Sequence, residues 1–238
     1  MTENINTEIE LSGTTNYKGF LIDLILYLSV MFLVREIYLP KIGFIGNGLF
    51  WSLTTLIVAS WRMKVRGVSW KDLGLKKPAN LGKTIGISAI ILAAVMGSLI
   101  AFEIIKDQLP FSIAPDTSSE SAVSKFGNLK GNWPHFFLII PFVLLESMLE
   151  ELLDRGFLIN WFEKLFSKTS FATVIAVLLQ ALIFGFRHSY DLSARSITVG
   201  IIGLIMGIAY VKFGRNLWPL IIAHCVLNGM SMMGRVMD

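Results

Sequence analysis

Pro141-Phe-Val-Leu-Leu-Glu146-Ser-Met-Leu-Glu150-Glu151-Leu-Leu-Asp154-Arg155-Gly-Phe-Leu-Ile-Asn-Trp-Phe-Glu-Lys-Leu-Phe166 is an apolar run with acid at its centre. On a helix of 3.6 residues per turn, Glu146, Glu150 and Asp154 share one face at i, i+4 and i+8, and Glu151 sits one turn before Arg155 on a neighbouring face. If this helix lies in a bilayer, each ionised carboxylate near the middle costs at least ~2.5 kcal/mol. Other side chains must therefore compensate the acids, and function is to be sought where they do.

The composition supplies the bilayer. Hydrophobic residues make up 54% of the chain and charged residues 16%, too little charge to cover a soluble domain of this length. The expectation is an all-α polytopic membrane bundle of about seven transmembrane helices. A single cysteine, Cys225, excludes an intrachain disulfide.

Residues 1–17 are polar and mildly acidic, with no basic stretch ahead of an apolar one, so they read as a tail in front of one membrane domain at 18–238. Apolar segments follow from about Phe20 to Leu39, Ile42 to Trp61, Thr84 to Ile105, the acid-bearing helix to Phe166, Phe171 to Arg187, Ser196 to Phe213 and Trp218 to Met233. Each approaches the ~20 residues that cross a ~30 Å hydrocarbon core. Between Arg62 and Lys83 the chain carries Arg62, Lys64, Arg66, Lys71, Lys76, Lys77 and Lys83 against one acid, Asp72. The positive-inside rule makes this loop cytoplasmic and, by alternation, the N-terminus as well. The protein is expected in the cell membrane, and bases scattered beside spans give no reason to expect a nucleic-acid partner. The long polar connection from Lys106 to Trp133, with Asp116 to Ser121 as its least structured part, falls outside. Ser196, Gly200, Gly203 and Gly207 form overlapping small-x-x-x-small patterns, read as close helix packing.

Two further polar pairs lie on later spans: Phe184 with His188, and His224 with Asn228, each at i, i+4. A carboxylate, two imidazoles and a carboxamide from three helices can hydrolyse a bond or hold a metal. Cys225 points about 100° away from His224, against a Cys-His nucleophile pair.

Glu150-Glu151-x-x-x-Arg155, Phe184-x-x-x-His188 and His224-x-x-x-Asn228, in that order on successive apolar segments, resemble the CAAX prenyl endopeptidase type II and bacteriocin-processing (CPBP, Abi) intramembrane protease family. Trp70-Lys-Asp-Leu-Gly-Leu75 and Leu217-Trp218-Pro219 resemble its flanking segments, so the likeness runs from about residue 69 to 233, with the motif core at about 134–233. The resemblance implies peptide-bond hydrolysis inside the membrane, in peptide maturation or bacteriocin self-immunity, on a small membrane-associated, lipidated or exported peptide. It implies that Glu150 with His188 activates water and that His224 and Asn228 stabilise the oxyanion. Glu151 with Arg155 reads as a structural ion pair. The family commonly has an aromatic residue where this chain has Asp154, and Arg187 is also more polar than its usual counterpart. Asp154 either couples to Glu150 as a like charge or reaches a loop, and Arg187 is positioned in sequence to neutralise it.

Two alternatives remain open. Glu150, His188 and His224 also match a catalytic zinc set, although no His-x-x-x-His pair on one helix accompanies them; the expectation is catalysis without a cofactor. A non-catalytic scaffold or regulator that binds a sensor or an exported peptide would use the same fold, but nothing in that role requires four polar groups buried in lipid.

Overall fold

A computed structural model describes residues 17–108, 113–114 and 125–237; the N-terminal tail up to residue 16 and the Asp116 to Ser121 stretch lie outside them. Among the described residues the chain forms α1 (Tyr17–Leu33), α2 (Gly43–Val65), α3 (Leu81–Ile105), α4 (Trp133–Glu150), a π-helical stretch (Glu151–Leu158), α5 (Ile159–Leu165), α6 (Ala172–Ser189), α7 (Ala194–Lys212) and α8 (Leu217–Met237). Helical stretches at Tyr17–Glu36, Pro40–Val65, Leu81–Gln108, Ala172–Ser189, Ala194–Lys212 and Leu217–Met237 are long and apolar enough to cross a membrane. These are six of the seven expected spans. The protein is an all-α polytopic membrane bundle.

The remaining expected span, the acid-bearing one, is a compound helix running through α4, the π stretch and α5. The other helices wrap it: every residue from Glu151 to Ile159 is buried, and Glu151, Asp154 and Arg155 are fully so. Its polar groups therefore face protein and not lipid. Leu, Ile and Phe side chains such as Ile57, Leu182 and Phe186 instead stand exposed on the outer helices, where a bilayer supplies the solvent.

Local chemistry sets the helix ends. Asn80 accepts from the Lys83 amide and Asn132 from the His135 amide, each capping the helix that follows. Asn47 exchanges hydrogen bonds with the Leu39 backbone and so fixes the turn between α1 and α2. Close approach in the membrane rests on small residues, as the spacing predicts. A Cβ on Gly185 would lie 2.5 Å from the Ser196 carbonyl oxygen and 2.9 Å from Gly200 Cα, so α6 and α7 touch backbone to backbone.

One end of the bundle is basic and tightly tied. Asp23 on α1, fully buried, takes Arg62 at 2.6 Å and Arg66 at 2.8 Å from α2, and the Trp161 indole at 3.2 Å from α5. The Tyr210 hydroxyl donates to the Leu73 carbonyl at 2.9 Å and the Leu217 amide to the Gly74 carbonyl at 3.1 Å, docking the Trp70 to Leu75 segment on α7 and α8. Gly74 sits at φ +102°, and a Cβ there would fall 1.9 Å from the Arg215 carbonyl oxygen. Gly74→Ala should undock this segment and lower detergent-solubilised stability by roughly 1–3 kcal/mol, the usual range for overpacking. Gly97, whose Cβ would meet nothing within 4 Å, is the control: Gly97→Ala should leave the melting temperature unchanged or raise it slightly.

Candidate active site

The acids meet their partners where the compound helix changes register. α4 ends at Glu150, and the wider turn that follows closes with the Ile159 amide on the Asp154 carbonyl, an i to i−5 bond. Such π turns are rare in α-helices and frequent at functional sites. On a regular helix Glu150 and Glu151 would diverge by about 100°. Here both reach one imidazole. His224 on α8 has Nδ1 2.7 Å from Glu151 Oε1 and Nε2 3.6 Å from Glu150 Oε2.

Glu150 is the hub. Its Oε1 lies 3.5 Å from His188 Nε2 and 3.2 Å from Arg187 Nη2, both at the end of α6, and its other oxygen faces His224. Each imidazole is oriented from behind. His188 Nδ1 lies 2.6 Å from the Phe184 carbonyl, and a carbonyl only accepts, so this nitrogen carries the proton. His224 Nδ1 donates likewise to the Glu151 carboxylate. Both Nε2 atoms are thus turned toward Glu150, and either can donate to it only when its ring is protonated.

The cations that offset this charge come from two helices. Arg155 donates to Glu151 at 3.1 Å, the ion pair expected from their spacing. Arg187 binds Asp154 at 2.7 Å, which answers the question left by the sequence: Asp154 is buried inside the bundle, away from any loop, and Arg187 neutralises it. Phe184, 1% exposed, presents its ring to Arg155 at 4.3 Å and to His188 at 4.6 Å and so packs the ionic layer together.

Asn228 stands one turn beyond His224 and donates to Ser147 Oγ at 2.8 Å, and Ser147 in turn donates to the Val143 carbonyl. Its second amide proton remains for another acceptor. Glu146 accepts from Ser52 Oγ at 2.5 Å, while its Oε2 is buried and without a hydrogen-bond partner among the described residues. Glu146, Glu150, His188 and Asn228 line one cavity of about 300 Å³ that opens between α2, α4, α6 and α8.

The residues expected from sequence therefore come together, with three additions. Glu151 is more than a partner for Arg155, because it anchors His224. Ser147 and Ser52 hold Asn228 and Glu146. Each is a serine in a largely apolar helix, a weak signal that becomes specific only through contacts distant in sequence. His135, which has no partner pattern in the sequence, meets the Phe126 carbonyl at 2.8 Å. Cys225 points at the Leu144 carbonyl, away from the site. Among the described residues, no three His, Cys, Asp or Glu side chains converge as a metal site requires.

Residues 132–230 match the family model described as type II CAAX prenyl endopeptidase, Rce1-like. This segment is similar to the CAAX-protease family. It begins just before α4 and ends within α8, so it contains Glu150, Glu151, Arg155, His188, His224 and Asn228, whereas the Trp70 to Leu75 segment lies outside the match. No curated protein and no solved structure matches the chain.

Because Glu151 serves Arg155 and His224 together in a fully buried layer, Glu151→Gln should strand a guanidinium and release the imidazole. A loss of roughly 3–5 kcal/mol is expected, as for a broken buried pair. It should appear as a lower melting temperature of the purified protein in detergent.

Proposed function

We propose that this protein is a CAAX-protease-like intramembrane endopeptidase in which Glu150 is the general base. The observation that carries the reading is one carboxylate faced by two imidazoles, each oriented through its Nδ1, at the wall of a cavity. A contact of 3.5–3.6 Å is one that a small shift closes to a hydrogen bond. Water bound at Glu150 attacks the scissile carbonyl carbon and gives its proton to the carboxylate. His188 shares that proton and returns it to the leaving amine as the C–N bond breaks.

The oxyanion is held by Asn228, through the amide proton not given to Ser147, and by His224. The anchoring of His224 revises its expected role. A neutral ring has its one proton at Nδ1, committed to Glu151, so Nε2 donates to an oxyanion only as the imidazolium. Arg187 holds Glu150 in place and neutralises Asp154. The substrate is a small membrane-associated peptide, lipidated or exported, in a maturation or self-immunity role.

We further propose catalysis without a metal. The two imidazoles each address an oxygen of the Glu150 carboxylate itself, and among the described residues no three His, Cys, Asp or Glu side chains group as metal ligands would. A scaffold role is disfavoured because such a protein gains nothing from a layer of buried acids and bases that each need a partner.

The test uses the protein in nanodiscs with a mixed peptide library read by mass spectrometry. Glu150→Gln should lower turnover by at least ~100-fold, the usual general-base contribution, with normal insertion and melting. Asn228→Ala should lower kcat by about 3 kcal/mol of transition-state stabilisation with little change in KM. Activity should survive EDTA and phenanthroline; abolition by chelators and rescue by zinc would transfer catalysis to a metal, and unchanged cleavage by Glu150→Gln would dismiss the base.

A further inference from the structure

The active-site cavity lies at the end of the bundle opposite the basic loop. The basic end is identified by contact. Arg62 and Arg66 clamp Asp23, Arg215 binds Glu163 at 2.6 Å, Lys168 lies over Tyr17, and the Leu217 amide reaches Gly74. This end thus gathers the bases of 62–83 with Lys164, Lys168, Lys212 and Arg215, against few acids. The other end is equally well tied together. Arg35 donates to the Arg187 carbonyl, Ala194 to the Ala114 carbonyl and Gly131 to the Val236 carbonyl. The basic end is cytoplasmic by its excess of Lys and Arg, which puts the cavity end on the extracytoplasmic side.

The bases at the cavity end are distributed differently. Arg35, Lys125, Arg187, Arg195 and Arg235 line the cavity, while Lys41, Lys106 and Lys130 do not. Arg187 is occupied by Glu150 and Asp154. Among the described residues no carboxylate pairs with Arg35, Arg195 or Arg235, and the Nε atoms of Arg195 and Arg235 are buried without a hydrogen-bond partner. Arg35 is held in place by the rings of Trp51 and Tyr190, at 5.1 and 4.4 Å, and Arg235 by Phe126 at 5.9 Å. The nearby acid Asp191 is engaged by the Ser193 side chain and amide, which hold its carboxyl below the ordinary carboxylate range. Glu146, bonded to Ser52, is the other carboxylate on the wall besides Glu150. Positioned guanidinium groups in a partly enclosed cavity bind carboxylates with charge-assisted, often bidentate, hydrogen bonds.

We infer that the cavity opens on the extracytoplasmic side and that Arg35, Arg195 and Arg235 form a subsite for a carboxylate on the substrate peptide, so that the substrate is an acidic segment of an exported peptide. This rests on the protease reading for the word substrate; the orientation and the carboxylate subsite do not. The carboxylate comes from an acidic side chain or from a free C-terminus, and the two are separable by amidation.

Two measurements test the inference without requiring cleavage. In a Cys225→Ala background, a membrane-impermeant maleimide should label Leu192→Cys, at an 82% exposed position beside the cavity, in intact cells, and should label Lys71→Cys only after lysis. The reverse pattern would overturn the orientation. In detergent, the Glu150→Gln protein should bind a fluorescent leucine-rich peptide carrying two Glu residues about tenfold or more tighter than its Gln counterpart, the gain expected of a charged hydrogen bond. Arg195→Gln with Arg235→Gln should erase that difference while leaving the Gln peptide's affinity unchanged. A Glu preference that persists on amidation assigns the carboxylate to the side chains, whereas equal binding of Glu and Gln peptides that is weakened in both by amidation assigns it to the terminus. Equal affinity for all peptides, or competition by phosphatidylglycerol that removes Glu and Gln peptides alike, would overturn the subsite in favour of a lipid headgroup.

Discussion

Burying four acids in the middle of a membrane bundle is the constraint on which the rest of this structure depends. Glu146, Glu150, Glu151 and Asp154 would each be costly alone. They are tolerable because Arg155, Arg187, His188, His224 and Ser52 are brought to them from the same helix, from α6, from α8 and from α2. The wrapping of the compound helix follows from this. The acid-bearing stretch of that helix cannot face lipid, so lipid is met by the apolar flanks of its neighbours and by the apolar side of α4 at Phe137 and Leu138. The cavity follows too, since Glu150 and Glu146 are the members of the set that keep a face toward open space.

The two ends of the bundle put ionic bonds to different uses. At the basic end, Asp23 has its oxygens taken up by two arginines and an indole, and the result is a rigid corner joining α1, α2 and α5. At the cavity end, the acceptors and donors are left incompletely matched: Glu146 keeps a bare oxygen, and Arg195 and Arg235 keep bare Nε atoms. Unmatched polar groups in a protected site are costly to leave unmade. They are what a reactant or a water satisfies.

Much of this was legible from the sequence and some was not, for physical reasons. Hydropathy located the spans to within a few residues because the bilayer imposes length and apolarity on each of them. The i, i+4 spacing of Glu151 with Arg155 was enough to foresee their bond, and Arg187 proved to be the counter-charge of Asp154. The π turn was not legible. Apolar periodicity does not distinguish a helix that closes at i−4 from one that closes at i−5 in a stretch that is buried all round. Without that turn, Glu151 and His224 appeared to have separate tasks. Ser147 with Asn228 and Ser52 with Glu146 were hidden because each links helices far apart in the chain, and a serine in an apolar helix has no local signature for such a partner. Asp23 has no local signal for its partners, because Arg62, Arg66 and Trp161 reach it from positions distant in the chain.

The central claim is that Glu150, set between His188 and His224, hydrolyses peptide bonds. Its most direct test is quantitative mass spectrometry of membrane-associated and released peptides from cells expressing either the wild-type protein or Glu150→Gln at equal levels. The account predicts at least one peptide whose cleaved form accumulates only with the wild type and whose uncleaved form accumulates with the variant. Identical peptide profiles, with both proteins folded and inserted, would contradict it.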